Sequence, residues 1–161
     1  MASTGNKKLI VSTLKGIPKG ALVIIVKTEW NAPIINKLEA GCKKILKANG
    51  VQSKTIVVPG AIEIPFAINA YTKALKPVHA FIALACVIKG DTPHFEYVCQ
   101  SVTQGISLLN TQLNVPVIYG VLTVNNEQQA LERIGGKHGH KGEEAALTAL
   151  KMICLKEAIE P

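Results

Sequence analysis

Aromatic side chains are scarce in this chain of 161 residues: they make up 4%, against a hydrophobic fraction of 48%. The core must therefore be aliphatic, and each aromatic residue outside it is a candidate for binding. Arginine is scarcer still, since Arg133 is the only one and the other seventeen cations are lysines. Those lysines form no basic block and are not interleaved with aromatics. The net charge of +7 thus describes a solvated basic surface that attracts small anions, rather than a nucleic-acid interface. The four cysteines, Cys42, Cys86, Cys99 and Cys154, include no CxxC pair, which argues for reduced, buried thiols in a cytoplasmic protein. The longest apolar run falls short of the about 20 residues a membrane span needs. The opening MASTGNKKLIVST lacks the long apolar core of a signal peptide. No motif recurs at a period of 20–50 residues and no segment is of low complexity. The length suits one domain, residues 21–161. Residues 1–20 read as a polar tail or an edge strand available to pair with a neighbour.

What is present is organised around Val78 to Tyr97, VHAFIALACVIKGDTPHFEY. The apolar run Ala80 to Ile88 is a buried strand. After a turn, Phe95, Val98, Val102, Ile106 and Leu109 recur at helical spacing. Gly90 lets the backbone approach a ligand, Pro93 suits a first helical position, and Asp91 or Thr92 can cap. The free N–H groups and dipole of such a helix start favour an anion, most naturally a phosphate. His94 stands in that first turn, and histidine is suited to take and return protons near neutrality. The plainer alternative is a strand-to-helix corner with an exposed histidine.

Along the rest of the chain, Ala21 to Val26 reads as a strand. Asn31 then caps a helix carrying Ile34, Ile35, Leu38, Ile45 and Leu46, which Asn49-Gly50 stops. Thr55 to Val58 is a short strand, followed by a loop, Pro59 to Pro65, and a helix from Pro65 to about Leu75. Val115 to Leu122 is a fourth strand. Asn126, with Gln129 as capping-box partner, then starts a short helix with Arg133 near its end. Gly135 to Gly142 reads as a loop, and a last helix runs from about Glu143 to Ala158. Four apolar strands alternating with helices predict a single-domain doubly wound sheet of four parallel strands, α/β, with helices on both faces.

In such a sheet every strand-to-helix loop opens at one edge, where ligands bind. Trp30 and Tyr119 offer flat surfaces for a heterocycle, or belong to the core. Glu63 can accept hydrogen bonds from ring N–H groups or ligand hydroxyls, or is an ordinary loop carboxylate. Backbone groups around Cys86, Val87 and Ile88 can pair with ring edges. Arg133 suits a phosphate better than a lysine does, or is a helix-surface cation. His138, His140 and Lys141 are further candidates. His138-x-His140 has no third ligand at zinc spacing, so no metal is expected.

PGAIEIP, VIKGDTPHFEYV, PVIYGVLT and QALERIGGKHGHKGEEAA, in this order, resemble the 6,7-dimethyl-8-ribityllumazine synthase family. The resemblance covers about Leu22 to Met152, and VIKGDTPHFEY is its most specific part. It implies a flavodoxin-like three-layer α/β/α fold and the penultimate step of riboflavin biosynthesis. That step condenses 5-amino-6-(D-ribitylamino)uracil with 3,4-dihydroxy-2-butanone 4-phosphate and uses no cofactor. By position, His94 matches the acid–base histidine and Trp30 the aromatic over the pyrimidine. Ala61, Ile62, Glu63, Cys86, Val87 and Ile88 match contacts to the pyrimidine and its ribityl chain. Tyr119 matches an aromatic supplied by a neighbouring subunit, where phenylalanine is frequent, so its hydroxyl needs water or a polar partner. Asp91 and Thr92 match the backbone holding the phosphate substrate, Arg133 the phosphate-binding arginine and Lys141 a nearby basic position. The family forms homo-oligomeric rings of five, and some members pack twelve rings into a 60-subunit icosahedral shell, which can enclose riboflavin synthase. The short GGKHGHKG loop resembles the shell-forming subset. The stripe on the Phe95 to Leu113 helix is expected to supply a ring-centre face. The rival readings are a flavin- or nucleotide-binding carrier and a shell protein with an idle site.

Overall fold

The computed structural model describes residues 14, 16–74 and 76–160. The apolar runs form four strands, β1 (Leu22–Thr28), β2 (Gln52–Val58), β3 (Ala80–Ile88) and β4 (Val117–Val124). Between them lie α1 (Ala32–Ala48), α2 (Ile64–Lys73) and α3 (His94–Gln112), and after β4 come α4 (Glu127–Leu131) and α5 (Lys141–Ile159). The sheet order is β2-β1-β3-β4, with all three pairings parallel. The expected doubly wound sheet of four parallel strands is therefore the fold. From β1 the chain moves to β2 on one side, then returns past β1 to β3 on the other. Parallel crossovers keep one hand, so reversing direction sends successive helices to opposite faces.

Two separate aliphatic clusters show the result. Val23, Ile25, Ile82 and Leu84 pack toward α1 and α5, while Ile24, Val26, Phe81 and Ala83 pack toward α2 and α3. Alternate residues of a strand face opposite sides, so a strand covered on both reads as unbroken apolar sequence. β3 is that case, with its first seven residues buried. Phe81, fully buried, meets the ring of Tyr71 edge-on at 5.7 Å.

Several expectations need correction. β2 begins at Gln52, three residues before Thr55, because its outer half is a polar edge with little apolar signal. Ala61–Glu63, expected as loop, is a 3-10 turn leading into α2. The segment Gly135 to Gly142 is not a plain loop. β5 (Ile134–Gly136) and β6 (Gly139–His140) form an antiparallel hairpin, and α5 starts at Lys141. Positive φ values of 116° at Gly135 and 77° at Gly139 permit that tight reversal. The α3 stripe turns inward: Val102, Ile106 and Leu109 are buried against the sheet, so it is not a free ring-centre face. Of the N-terminal tail or edge strand, residues 1–13 and 15 lie outside the described residues. Residues 16–20 hold a turn and no strand, while Leu14 and Ile17 pack on the core beside α1. Leu75, the expected end of the second helix, also lies outside the described residues, and α2 ends at Lys73.

One buried charge ties β1, α1 and β2 together. Glu39 accepts from Lys27 Nζ and Lys43 Nζ, each at 2.6 Å, and from Thr55 Oγ1 at 2.6 Å. Burial raises its pKa, but the hydrogen bonds from Lys27, Lys43 and Thr55 outweigh this and bring it down to about 2 from 4.5. A depressed carboxyl adds stability above its unfolded value, and that stability is lost as pH falls through the folded value. Glu39→Gln should therefore lower unfolding free energy by about 1–3 kcal/mol at neutral pH, with Lys27 left short of a partner. In denaturant titrations the gap to the parent should shrink as pH falls from about 4.5 to about 2. A gap independent of pH would disprove the ionic origin.

Candidate active site

β1 pairs with β3 only from Val23 opposite Ala80 to Lys27 opposite Leu84, whereas β3 stays paired with β4 as far as Ile88 opposite Val124. The two central strands thus part at their carboxyl ends, which is where the direction of winding reverses. A crevice of ≈ 370 Å³ opens there. From the β1 side it is lined by Trp30, and from the turn after β2 by Gly60, Ala61, Ile62 and Glu63. The end of β3 contributes Cys86, Val87 and Ile88, and α3 contributes His94. Eight residues singled out in the sequence therefore share one cavity.

Local sequence explains the placement. The indole of Trp30 is 73% exposed, so this aromatic is not part of the core. Its loop is fastened by Thr28 Oγ1 donating to Trp30 O at 3.2 Å and by Glu29 N–H donating to Val58 O at 2.9 Å. Gly60 makes room between two groups: a Cβ there would stand 3.0 Å from Glu63 Oε2 and 4.0 Å from Trp30 Cδ1. The carboxylate and the indole edge consequently meet over one bare stretch of backbone. On the far wall, His94 is exposed at the first position of α3, one residue after the expected Pro93 start. Neither Asp91 nor Thr92 occupies the cap position, although Thr92 Oγ1 accepts from His94 N–H at 3.4 Å. Apart from Gly90 and its two chain neighbours, nothing lies within 4 Å of where a Cβ on Gly90 would stand, so this side of the turn is open.

Contrary to the sequence expectation, Asn31 does not cap α1 through its side chain. It takes the left-handed conformation, φ 59° and ψ 36°, and its backbone carbonyl accepts from Ile34 and Ile35. Its Nδ2 instead donates to Cys86 O at 2.8 Å, bridging the parted ends of β1 and β3. The Cys86 carbonyl is thus engaged inside the protein. Sequence reasoning missed this role because a contact across 55 positions leaves no periodic trace. The Cys86 thiol, buried and near Glu127, is pushed up to about 11 and is no nucleophile at neutral pH.

The remaining candidates lie elsewhere. Asp91 and Thr92 adjoin His94 in the turn without lining the crevice. Tyr119 is in mid-strand on β4, opposite Ala83, rather than at the carboxyl edge. Its hydroxyl finds the polar partner it needs in Thr103 Oγ1 at 3.0 Å, and burial raises its pKa. Tyr119 and Lys141 line a second cavity of ≈ 470 Å³ along the outer edge of β4. Lys141 Nζ pairs with Glu144 at 2.7 Å. Arg133 follows α4, with Nη1 donating to Gln129 O at 2.7 Å. His138 and Lys137 both face Glu132, at 3.6 and 3.1 Å. Among the described residues no group of three or more His, Cys, Asp or Glu side chains could hold a metal ion, and no helix is long and apolar enough to cross a membrane.

Residues 20–157 match the family described as 6,7-dimethyl-8-ribityllumazine synthase. The chain is also similar to proteins of that name from three bacteria. It is 50% identical to the one from Porphyromonas gingivalis over 135 residues, covering 82% of this chain and 83% of the relative. It is 48% identical to the one from Bacteroides fragilis over 132 residues, covering 80% and 92%. It is 47% identical to the one from Phocaeicola vulgatus over 139 residues, covering 84% and 82%.

Because Asn31 both adopts the left-handed region and bridges to Cys86, its two roles separate by mutation. Asn31→Gly keeps the backbone at little cost and removes the bridge. Asn31→Ala keeps a Cβ in that region without the amide that makes it tolerable, and should cost about 1–2 kcal/mol more than the glycine variant in denaturant titrations. Both variants should speed the decay of Trp30 fluorescence anisotropy, a single-site signal since Trp30 is the only tryptophan. An unchanged decay would mean that the bridge does not hold the indole loop.

Proposed function

Since the chain belongs to the 6,7-dimethyl-8-ribityllumazine synthase family, we propose that it condenses 5-amino-6-(D-ribitylamino)uracil with 3,4-dihydroxy-2-butanone 4-phosphate. The observation that carries this reading is the single crevice holding Trp30, Glu63 and His94 beside bare strand-end backbone. The pyrimidine stacks on Trp30, its ring edge pairs with backbone at Val87 and Ile88, and Glu63 accepts from its N–H groups or ribityl hydroxyls. The amine attacks the ketone carbonyl and water leaves to give an imine. Inorganic phosphate then departs, and the second amine closes the ring with loss of another water. Every step moves protons, and His94, at the crevice wall, is the group placed to carry them. Much of the acceleration comes from holding two reactants in one cleft. Asp91 and Thr92 present the turn to the phosphate substrate, and Arg133 with Lys141 grips the phosphate itself.

This assignment requires more than one copy. Within one chain Tyr119 and Lys141 line a different cavity from Trp30 and His94. At the same time Trp30 and Ile62, which line the crevice, are 73% and 45% exposed, and Phe66 on α2 is 75% exposed. A homo-oligomer in which the β4 edge of one subunit meets the crevice of the next brings both sets together. The proposed form is a ring of five, in a cytoplasmic protein, with the 60-subunit shell and an enclosed riboflavin synthase as the larger assembly. Residues 21–161 form the synthase domain on this reading.

With both substrates the purified protein should release inorganic phosphate and form a lumazine, with a solution mass of five subunits or a multiple. His94→Ala should slow turnover about 10²- to 10⁴-fold. Arg133→Ala should raise KM for the butanone phosphate about tenfold. A tightly bound flavin without condensation would favour the carrier reading. Assembly without turnover would favour the idle shell.

A further inference from the structure

The β5–β6 hairpin that follows Arg133 rests against α1 through the side chain of His140. The ring edge of His140, from Nδ1 through Cε1 to Nε2, lies against the backbone of Gly41, where a Cβ would collide with it. On its other side Cδ2 lies 3.8 Å from where a Cβ on Gly135 would stand. Nδ1 also accepts a long hydrogen bond, 3.4 Å, from Glu143 N–H, capping α5. The backbone of the same residue pairs with Ile134, next to Arg133. One position further, Lys141 N–H donates to Arg133 O at 2.8 Å. Imidazole, strand pairing and helix start are thus joined at one residue, and Arg133 hangs from the joint.

From this geometry we propose that His140 is a positioning residue: wedged on Gly41 and capping α5, it fixes the hairpin that begins just after Arg133, and with it the point from which Arg133 reaches the phosphate of the substrate. It does not itself contact substrate. The proposal rests on the anion-binding role of Arg133 stated above.

Gly41 makes the proposal separable from simple damage. In mid-helix, glycine to alanine favours helix formation, so Gly41→Ala should strengthen α1 locally while evicting the imidazole. An asparagine at position 140 is short enough to clear that methyl and still offers an oxygen to Glu143 N–H. Steady-state kinetics with both substrates, on the full assembled protein, read the outcome. His140→Ala and Gly41→Ala should each raise KM for the butanone phosphate about five- to tenfold, with KM for the pyrimidine and kcat within about twofold. His140→Asn should stay near the parent, and adding it to Gly41→Ala should bring KM back. Arg133→Ala, measured alongside, reports on the underlying role. If it leaves KM normal, the anion role falls and the proposal with it. If Arg133→Ala raises KM while His140→Ala and Gly41→Ala do not, only the positioning role is overturned. Failure of both these variants to fold, or an equal loss in both KM values and kcat, makes His140 a scaffold residue and also overturns it.

Discussion

Where β1 stops pairing with β3, the sheet acquires an interior edge, and the crevice depends on that parting. A parallel sheet that stayed closed to its end would spend the polar groups of β3 on its neighbour. Here β3 runs on beyond Leu84 with β4 on one side and open space on the other. Open backbone at this depth must find partners, and the structure divides them. Asn31 satisfies the Cys86 carbonyl from within, and the next residues, Val87 and Ile88, line the cavity. The cleft is therefore partly closed by the protein and partly left for a ligand that can pair with a strand edge.

The layers behind the crevice keep its walls in register. α1 is clamped to β1 and β2 by the buried Glu39 cluster, and to α5 by close backbone approach at Gly142, where a Cβ would collide with Leu38 O. The thiol of Cys42 donates to Gly142 O at 3.0 Å across that contact, and burial, with Glu39 nearby, pushes its pKa up to about 12. It is a small apolar filler with one weak polar tie, as the absence of paired cysteines suggested. Cys99 and Cys154 differ from the expected burial, being only partly covered.

Much of this was legible beforehand, for physical reasons that differ by element. β1, β3 and β4 announce themselves because strands covered on two faces must be apolar throughout. The crevice residues could be grouped because a parallel sheet sends all its strand-to-helix turns to one edge. His94, Glu63 and Trp30 fell together on that argument alone. What escaped were features made by contacts distant in sequence. Asn31 looks like an ordinary helix cap until the carbonyl of Cys86 stands in front of it. The glycine-rich hairpin after Arg133 looks like a loop because positive-φ glycines carry no apolar pattern. Tyr119, opposite Ala83, is set back within its strand from the edge that gathers the other candidates. The α3 stripe was sized correctly, but the face it covers proved to be the sheet.

Asn110 adds something of another kind. Its side chain donates to Val117 O at 2.8 Å and accepts from Val117 N–H at 2.9 Å, imitating one rung of a ladder at the start of the outer strand β4. An incoming peptide finds that rung already occupied and cannot zip on from this end. The amide thus acts as a stopper against runaway sheet growth, for a chain whose copies are proposed to crowd against this border while keeping their sheets discrete.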